Sequence, residues 1–318
     1  MTRLLIQSFF ISLCVISGLL ASDEAAKIDS CEATIVIEAD VPTERYDPMI
    51  FGGFIEHFGR QIYGGFFEPG SPLADEGGFR LDVIEAVKEL KVPVVRWPGG
   101  CFVDSYHWKM GVGEVRQPYD DDRWGVREPN TFGTHEFIEL CRRLDAEPYI
   151  CQNSLASVQE MADWVGYCND VTGPLAELRA ANGHPEPFDV EIWSVGNEKV
   201  GKGYADKVRD TAVAMKAVDP TISVTCSGSH GPNAYIEPYL FETAGEHLDL
   251  LSVHEYWIPN FANHQTPDYL SCMMLSEKPD AHIGAVVDSI EEAGMHERLK
   301  IAFDEWNLRS WHHPGFSG

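Results

Sequence analysis

An α/β protein of the (β/α)8 TIM-barrel type is what this sequence predicts, on three observations. Short apolar, β-branched runs alternate with amphipathic helical stretches from Met49 onward. The strand runs are apolar nearly throughout, rather than at every second residue, which is the pattern of a parallel sheet covered by helices. No glycine-rich phosphate loop follows the first run, which weakens a doubly wound nucleotide-binding sheet. About seven strands can be counted, and the sequence stops at Gly318, shortly after the last of them. The expected barrel is therefore incomplete.

The elements follow in order. Residues 33–39 alternate like a strand, and Pro42 ends it. Residues 49–55 form the first barrel strand. Residues 79–90 form a helix with Phe79, Val83, Ile84, Val87 and Leu90 on one face. The strand 92–97 is cut by Pro98-Gly99-Gly100. The helix 135–144 turns Phe137, Ile138, Cys141 and Leu144 inward, and the strand 148–151 follows. Ser157-Val158-Gln159-Glu160 is a capping box opening a helix whose apolar positions are Val158, Met161, Val165 and Cys168. Further strands are read at 190–195, 222–226, 248–253 and 300–303, with helices at 205–218 and 281–293.

The N-terminus reads as a signal peptide over residues 1–21: Arg3, an apolar run over 4–20, and a cleavage site after Leu19-Leu20-Ala21. The competing reading is an uncleaved anchor, for which the run is short. The expected location is secreted or periplasmic, with no membrane contact after signal cleavage. Residues 22–48 are expected to be a linker carrying the strand 33–39, and residues 49–318 the barrel. The formal charge of −26 comes from 50 acidic and 24 basic residues. So acidic a chain repels phosphate, which excludes nucleic acid and anionic lipid as natural partners and favours a neutral substrate. The eight cysteines are scattered, with no CxxC pair, so neither a structural zinc nor a disulfide framework is expected.

In a barrel the chemistry sits at the C-terminal strand ends, and polar residues fall there repeatedly: Glu56-His57, Cys101 with Asp104, Gln152-Asn153, Asn197-Glu198, His254-Glu255-Tyr256 and Asp304-Glu305. Glu198 and Glu305 end the fourth and seventh strands, which face each other across the mouth. Two carboxylates so placed suit glycosidic bond cleavage, one as acid and the other as nucleophile or cation stabiliser. A lone Glu after a strand is usually a solvated loop residue; a second one three strands on favours catalysis. His254 and His57 are expected to lack a third metal-ligand partner, so no metal and no cofactor are expected. Trp97 and Trp108 read as core or sugar platform, and Trp257 and Trp306 as the better-placed sugar contacts.

Five stretches carry a family resemblance: FGGFIEHFGRQIYGG, VVRWPGGCFVDSYHWKMGVG, NTFGTHEFIELCRRLDAEPYI, WSVGNE and FDEWN. With them the chain resembles glycoside hydrolase family 51, the α-L-arabinofuranosidases. The resemblance implies a retaining hydrolase with Glu198 as acid/base and Glu305 as nucleophile. It implies Asn197 on the sugar 2-hydroxyl, Glu56 on arabinose hydroxyls, and Tyr256 donating to Glu305. His254, Cys101 and Trp306, beside these residues, are expected as further substrate contacts. Cys101 stands where many members have Asn and others Cys, and a thiol is a poor hydrogen-bond partner. Family members also continue beyond the nucleophile into an eighth strand and a β-sandwich, so the sequence resembles a family member truncated before strand eight, with 33–39 as one sandwich strand.

The expected function is release of terminal α-L-arabinofuranosyl residues from plant-type or algal arabinose-containing polysaccharide or oligosaccharide, arabinan and arabinoxylan side chains among them, by a chain free to form a homo-oligomer. The alternatives are an endo-acting β-glucanase or xylanase of the same fold, or an inactive fragment that only binds sugar. The neighbouring carboxylate is expected to raise the pKa of Glu198.

Overall fold

The computed structural model describes Thr34, Val36, residues 46–230, Ile236, residues 238–257 and residues 269–308. The expected signal 1–21, all of the strand 33–39 except Thr34 and Val36, and the tail 309–318 lie outside the described residues.

Asp47 and Pro48 decide how the barrel unit begins. The Asp47 carboxylate accepts from the Met49 N–H at 3.0 Å, and proline occupies the first position of a 3-10 turn, Pro48–Phe51. The strand expected at 49–55 is thereby reduced to β1, Gly53–Phe54, with Met49, Ile50 and Phe51 exposed. Helix α1 is Leu81–Lys88. Its end tightens into turns in which Leu90 and Lys91 donate to Val87 and Lys88, so Leu90, expected inward, faces solvent. Strand β2 is Val94–Trp97. A short antiparallel pair not foreseen from sequence follows, β3 Tyr119–Asp120 and β4 Arg127–Glu128.

Helix α2 is Thr134–Leu144; Glu136 reaches back to the Gly133 N–H, and Asp145 closes the helix in a left-handed conformation. Strand β5, Glu147–Gln152, leads to α3, Val158–Asn169. Ser157 Oγ accepts from the Glu160 N–H as expected. The Glu160 carboxylate, however, engages His107 Nδ1 at 2.6 Å, so the capping role of this box rests on Ser157. Helix α4 is Pro174–Ala181, β6 is Ile192–Val195 and α5 is Lys202–Val218. Strand β7 is Ser223–His230, α6 is Pro238–Ala244 and β8 is Leu250–Trp257. Helices α7, Tyr269–Met274, and α8, Lys278–Glu292, precede β9, Lys300–Leu308.

The seven strands pair in the order β1-β2-β5-β6-β7-β8-β9, every neighbour parallel. They form a nearly closed barrel in which β1 and β9 touch without sharing a ladder. Strands β7, β8 and β9 run several residues beyond the ends expected from sequence. His254, Glu255 and Tyr256, and Asp304 and Glu305, are therefore inside strands rather than after them. The expected boundaries followed the apolar runs, whereas the ladders continue through polar residues. Among the described residues no helix is long and apolar enough to cross a membrane.

Outside the strands lies an aromatic layer. Trp97 stacks on Phe137 at 4.9 Å, Trp164 meets Trp193 edge-on at 5.9 Å, and Trp108 stacks on Trp164 at 6.2 Å. Trp97 and Trp108 are thus core, 0% and 1% exposed. Cys101, Cys141, Cys151, Cys168 and Cys226 are free thiols.

The loop after β2 is built on glycine. Gly99 has φ +109°, and a Cβ there would lie 2.4 Å from the Glu56 Cβ. Gly99→Ala is expected to lower stability by about 2 kcal/mol or more, from strain and overpacking together, and to push Glu56 out of place. A denaturant titration measures it; a midpoint unchanged from the parent would show that this contact does not hold the loop.

Candidate active site

Arg96 is the charged residue inside β2, and it is 1% exposed. A guanidinium buried in a barrel needs acceptors on every side. Its Nη1 donates to Glu305 Oε1 at 2.5 Å, its Nη2 to Asn197 Oδ1 at 2.6 Å, and its Nε faces Asp304 Oδ2 at 3.5 Å. Tyr256 adds a hydroxyl donor to Glu305 Oε2 at 3.0 Å. Burial holds the Tyr256 hydroxyl far above its ordinary pKa, so it stays a donor.

Two consecutive residues of β9 serve Arg96, which a regular strand would not allow, because side chains alternate faces. The register explains it: Ser252 pairs with Ala302 and His254 with Glu305, so two residues of β9 oppose Val253 alone. This bulge turns both Asp304 and Glu305 toward the interior.

Asn197 and Glu198 follow β6 through a comparable device. Gly196 has φ +77°, and a Cβ there would lie 2.6 Å from Ser154 Oγ; Glu198 itself takes φ +48°. The turn buries Asn197 and leaves Glu198 partly exposed at the mouth. Glu198 Oε1 lies 3.0 Å from His254 Nδ1, and the same nitrogen is 3.5 Å from Glu305 Oε2. Carboxylate oxygens of Glu198 and Glu305 come within 4.8 Å of each other.

Burial by itself would raise the Glu198 pKa, but its hydrogen bond and charge interaction with His254, with His230 and Arg96 adding, bring it below the ordinary value. The raised pKa expected from sequence is thus overturned: an imidazolium, not a carboxylate, is its dominant neighbour. His254 shows the complement. Burial opposes its charge, yet Glu305, Asp304 and Glu198 hold it protonated up to about 9. Asp304, buried but beside Arg96 and His254, is held down at about 2.

Glu56 closes the other side. Its Oε1 accepts from the Phe102 N–H and from Trp124 Nε1, each at 3.0 Å. Burial raises its pKa, those two bonds lower it, and the charge of Glu305 raises it again, leaving a net increase. Beneath lies Gly100, where a Cβ would sit 3.1 Å from Glu305 Oε1, 3.2 Å from Glu56 Oε2 and 3.4 Å from Asn197 Nδ2. Three polar side chains from three elements thus converge above one bare backbone unit. Cys101 is beside them, half-buried; burial and the charges of Glu198, Glu56 and Glu305 push its thiol up to about 11. It stays neutral.

The structure brings Glu56, Cys101, Asn197, Glu198, His254, Tyr256 and Glu305 together. Trp306 is half exposed and stacks on Phe303, and the Trp257 side chain lies outside the described residues. His57 does not join the site. It stacks on Phe102 at 4.3 Å, accepts from Trp97 Nε1 at Nε2, and presents Nδ1 to Glu128 at 2.8 Å. The expectation that His254 lacks a third metal-ligand partner does not hold, since ligand atoms of Glu198, His254 and Glu305 lie within 4.8 Å of one another. His254 forms ion pairs with both, at 3.0 Å to Glu198 and 3.5 Å to Glu305. Sequence reading placed Asp304 at a strand end without giving it a role, and missed Arg96, Tyr149, Ser252 and Trp124 as site residues. Arg96 had a signal: a charge inside an apolar strand run calls for a buried partner.

Comparison with known proteins adds the following. The family model described as "Alpha-L-arabinofuranosidase 1 domain" matches residues 86–272. "Alpha-L-arabinofuranosidase C" of Emericella nidulans is 37% identical over 302 residues, covering 86% of this chain and 59% of that protein. "Intracellular exo-alpha-(1->5)-L-arabinofuranosidase" of Acetivibrio thermocellus is 33% identical, covering 89% and 59%. The crystal structure of the GH51 arabinofuranosidase from Xanthomonas axonopodis pv. citri superposes with a TM-score of 0.81 at 31% identity, covering 87% of this chain and 61% of that one. The chain spans about three fifths of the length of these relatives.

The charges of the site couple to stability. Asp304 is depressed, so its contribution is present above the ordinary carboxylate pKa of about 3.9 and is lost as pH falls toward 2. His254 is raised, so its contribution is complete below about 6.5 and is lost as pH rises through about 9. Urea unfolding across pH is expected to show both declines; a flat response between pH 6.5 and 9 would contradict the His254 assignment. Arg96→Met, which strands Asp304 and Glu305 without their counter-ion, is expected to destabilise by about 3–5 kcal/mol, measured in the same titration.

Proposed function

This chain belongs to glycoside hydrolase family 51, the α-L-arabinofuranosidases, and from that premise we propose that its barrel mouth releases terminal α-L-arabinofuranosyl residues from arabinan and arabinoxylan side chains with net retention. The observation that carries this reading is the approach of Glu198 and Glu305 oxygens to within 4.8 Å. That is near the separation of roughly 5–5.5 Å used by retaining enzymes and short of the roughly 6.5–9.5 Å that leaves room for an inverting water.

Glu305, aimed by its bonds to Arg96 and Tyr256, attacks the anomeric carbon, while Glu198 protonates the departing oxygen. Water then enters where the leaving group was, gives its proton to Glu198, and displaces Glu305 from the same face, restoring the configuration. Asn197, its carbonyl oxygen fixed by Arg96, is left with its Nδ2 hydrogens for the sugar 2-hydroxyl. Glu56 binds further arabinose hydroxyls, and Trp306 offers an exposed ring for a sugar face. The apolar run 4–20 and its small-residue end support export of the chain as a secreted or periplasmic protein.

Glu305→Ala is expected to abolish turnover of an aryl arabinofuranoside, because no covalent intermediate can form; parental turnover would remove Glu305 from the mechanism. Glu198→Ala is expected to slow arabino-oligosaccharide cleavage by about 10²–10⁴-fold and to spare the first step on a dinitrophenyl arabinofuranoside. Equal losses on both substrates would rule out Glu198 as the acid.

A further inference from the structure

Asp304 is a nearly buried carboxylate inside the barrel that the proposed chemistry leaves without a task. Its Oδ2 accepts from the Tyr149 hydroxyl at 2.8 Å and faces Arg96 Nε at 3.5 Å. Its Oδ1 accepts from the Ser252 hydroxyl at 2.8 Å and lies 3.3 Å from His254 Nε2. With the Ser252 proton committed to Asp304, the Ser252 oxygen offers a lone pair to His254 Nε2 at 3.0 Å. Both neighbours of Nε2 are then acceptors, so Nε2 carries a hydrogen whether the ring is charged or neutral. The neutral ring therefore has its lone pair at Nδ1, facing Glu198 Oε1 at 3.0 Å. One proton occupies that contact, either on the imidazole, paired with a carboxylate, or on a carboxylic acid bonded to a neutral imidazole.

We propose that Asp304 is a positioning residue which, through Ser252 and His254, keeps a proton stored beside Glu198, so that Glu198 and His254 work as one acid. The proposal rests on the reading of Glu198 as the acid/base. In the first step the Nδ1 proton moves to Glu198 Oε1, leaving His254 neutral with its Nε2–H still held. Glu198 passes that proton to the glycosidic oxygen as the C–O bond breaks toward that oxygen and a Glu305 oxygen bonds to the sugar carbon. In the second step the entering water gives one proton back to the pair and its oxygen replaces Glu305.

The surroundings agree with this division of labour. A His254 held charged to about 9 beside a Glu198 held low is one shared proton that rests on the imidazole. Glu305 Oε2 also faces Nδ1, at 3.5 Å, and its charge is the largest that favours the imidazolium; the remaining groups facing the pair do not compete for the proton. Arg96 on β2 is committed to Glu305, Asn197 and Asp304. Tyr149 on β5 donates to Asp304, and Tyr256 on β8 donates to Glu305. Cys151 on β5 is a buried thiol pushed up to about 11. His230 on β7 is held below its ordinary pKa, chiefly by burial. Lys199, after β6, is spent on Asp104 at 2.5 Å.

The first experiment needs no substrate: a pH titration of the full chain with ¹⁵N-labelled imidazole rings, His254 assigned by comparison with His254→Gln. The expected result is an Nε2–H tautomer above the titration point, and a midpoint about one unit or more lower in Asp304→Asn. An Nδ1–H tautomer in the parent overturns the proposal even if the variant does not fold, and so does an unmoved midpoint in a folded variant. The second experiment compares pH profiles of kcat/KM. Asp304→Asn is expected to move the alkaline limb down by about one unit or more on a poor leaving group, with little change on a dinitrophenyl arabinofuranoside. A uniform loss at every pH and on both substrates would assign Asp304 a merely structural part and overturn the relay. Absence of arabinofuranoside turnover in the parent would instead sink the functional reading, and the titration would still decide the relay.

Discussion

The guanidinium of Arg96 is the constraint on which the site depends. It stands in the interior of a parallel barrel, in a strand otherwise made of Val94, Val95 and Trp97, and water does not reach it. Left alone it would cost several kcal/mol. It is tolerated because three elements each deliver an acceptor: β9 sends Glu305 and Asp304, the turn after β6 sends Asn197, and β5 sends the Cys151 sulfur at 3.7 Å. The same bonds that satisfy Arg96 aim the carboxylate and the amide that would meet a sugar. Charge satisfaction and preorganisation are here one arrangement.

That arrangement needs backbone geometry that regular strands do not offer. The bulge in β9 turns two adjacent acids to one face. The left-handed turn at Gly196, continued at Glu198, lifts the acid/base candidate off the end of β6 and toward the mouth. Bare backbone at Gly99 and Gly100 lets the loop after β2 pass under Glu56 without displacing it. Each device sits at a C-terminal strand end, where the ladder no longer dictates direction and a local change in φ re-aims a side chain at little cost to the core.

Electrostatically the site runs against the rest of the chain. The formal charge of the protein is −26, yet the carboxylates of Glu198, Glu305 and Asp304 are met by two buried cations, Arg96 and protonated His254. Glu56, whose pKa is raised chiefly by burial, takes up a proton more readily than an ordinary carboxylate. The acidic exterior places no demand on the interior, where partners are chosen at hydrogen-bond distance.

By itself the sequence determined the architecture, because burial leaves a one-dimensional trace. Apolar runs such as Ile192 to Val195 and the helical spacing of Phe137, Ile138, Cys141 and Leu144 announce a parallel sheet under helices, and strand-end polar residues mark the mouth. It also singled out Glu198 and Glu305, through their place on strands that face each other. It could not set strand ends where ladders persist through polar residues, as at His254 to Trp257 and Asp304 to Leu308. It gave no sign that Pro48 would begin a turn, or that Leu90 would rotate to solvent. Least of all could it order the charges: the lowered Glu198, the charged His254 and the ion pairs of Asp304 depend on contacts between residues far apart in the chain. Only the tertiary structure decided these, because a pKa is set by what lies within a few ångströms, and no local pattern records which residue of β9 the bulge turns inward.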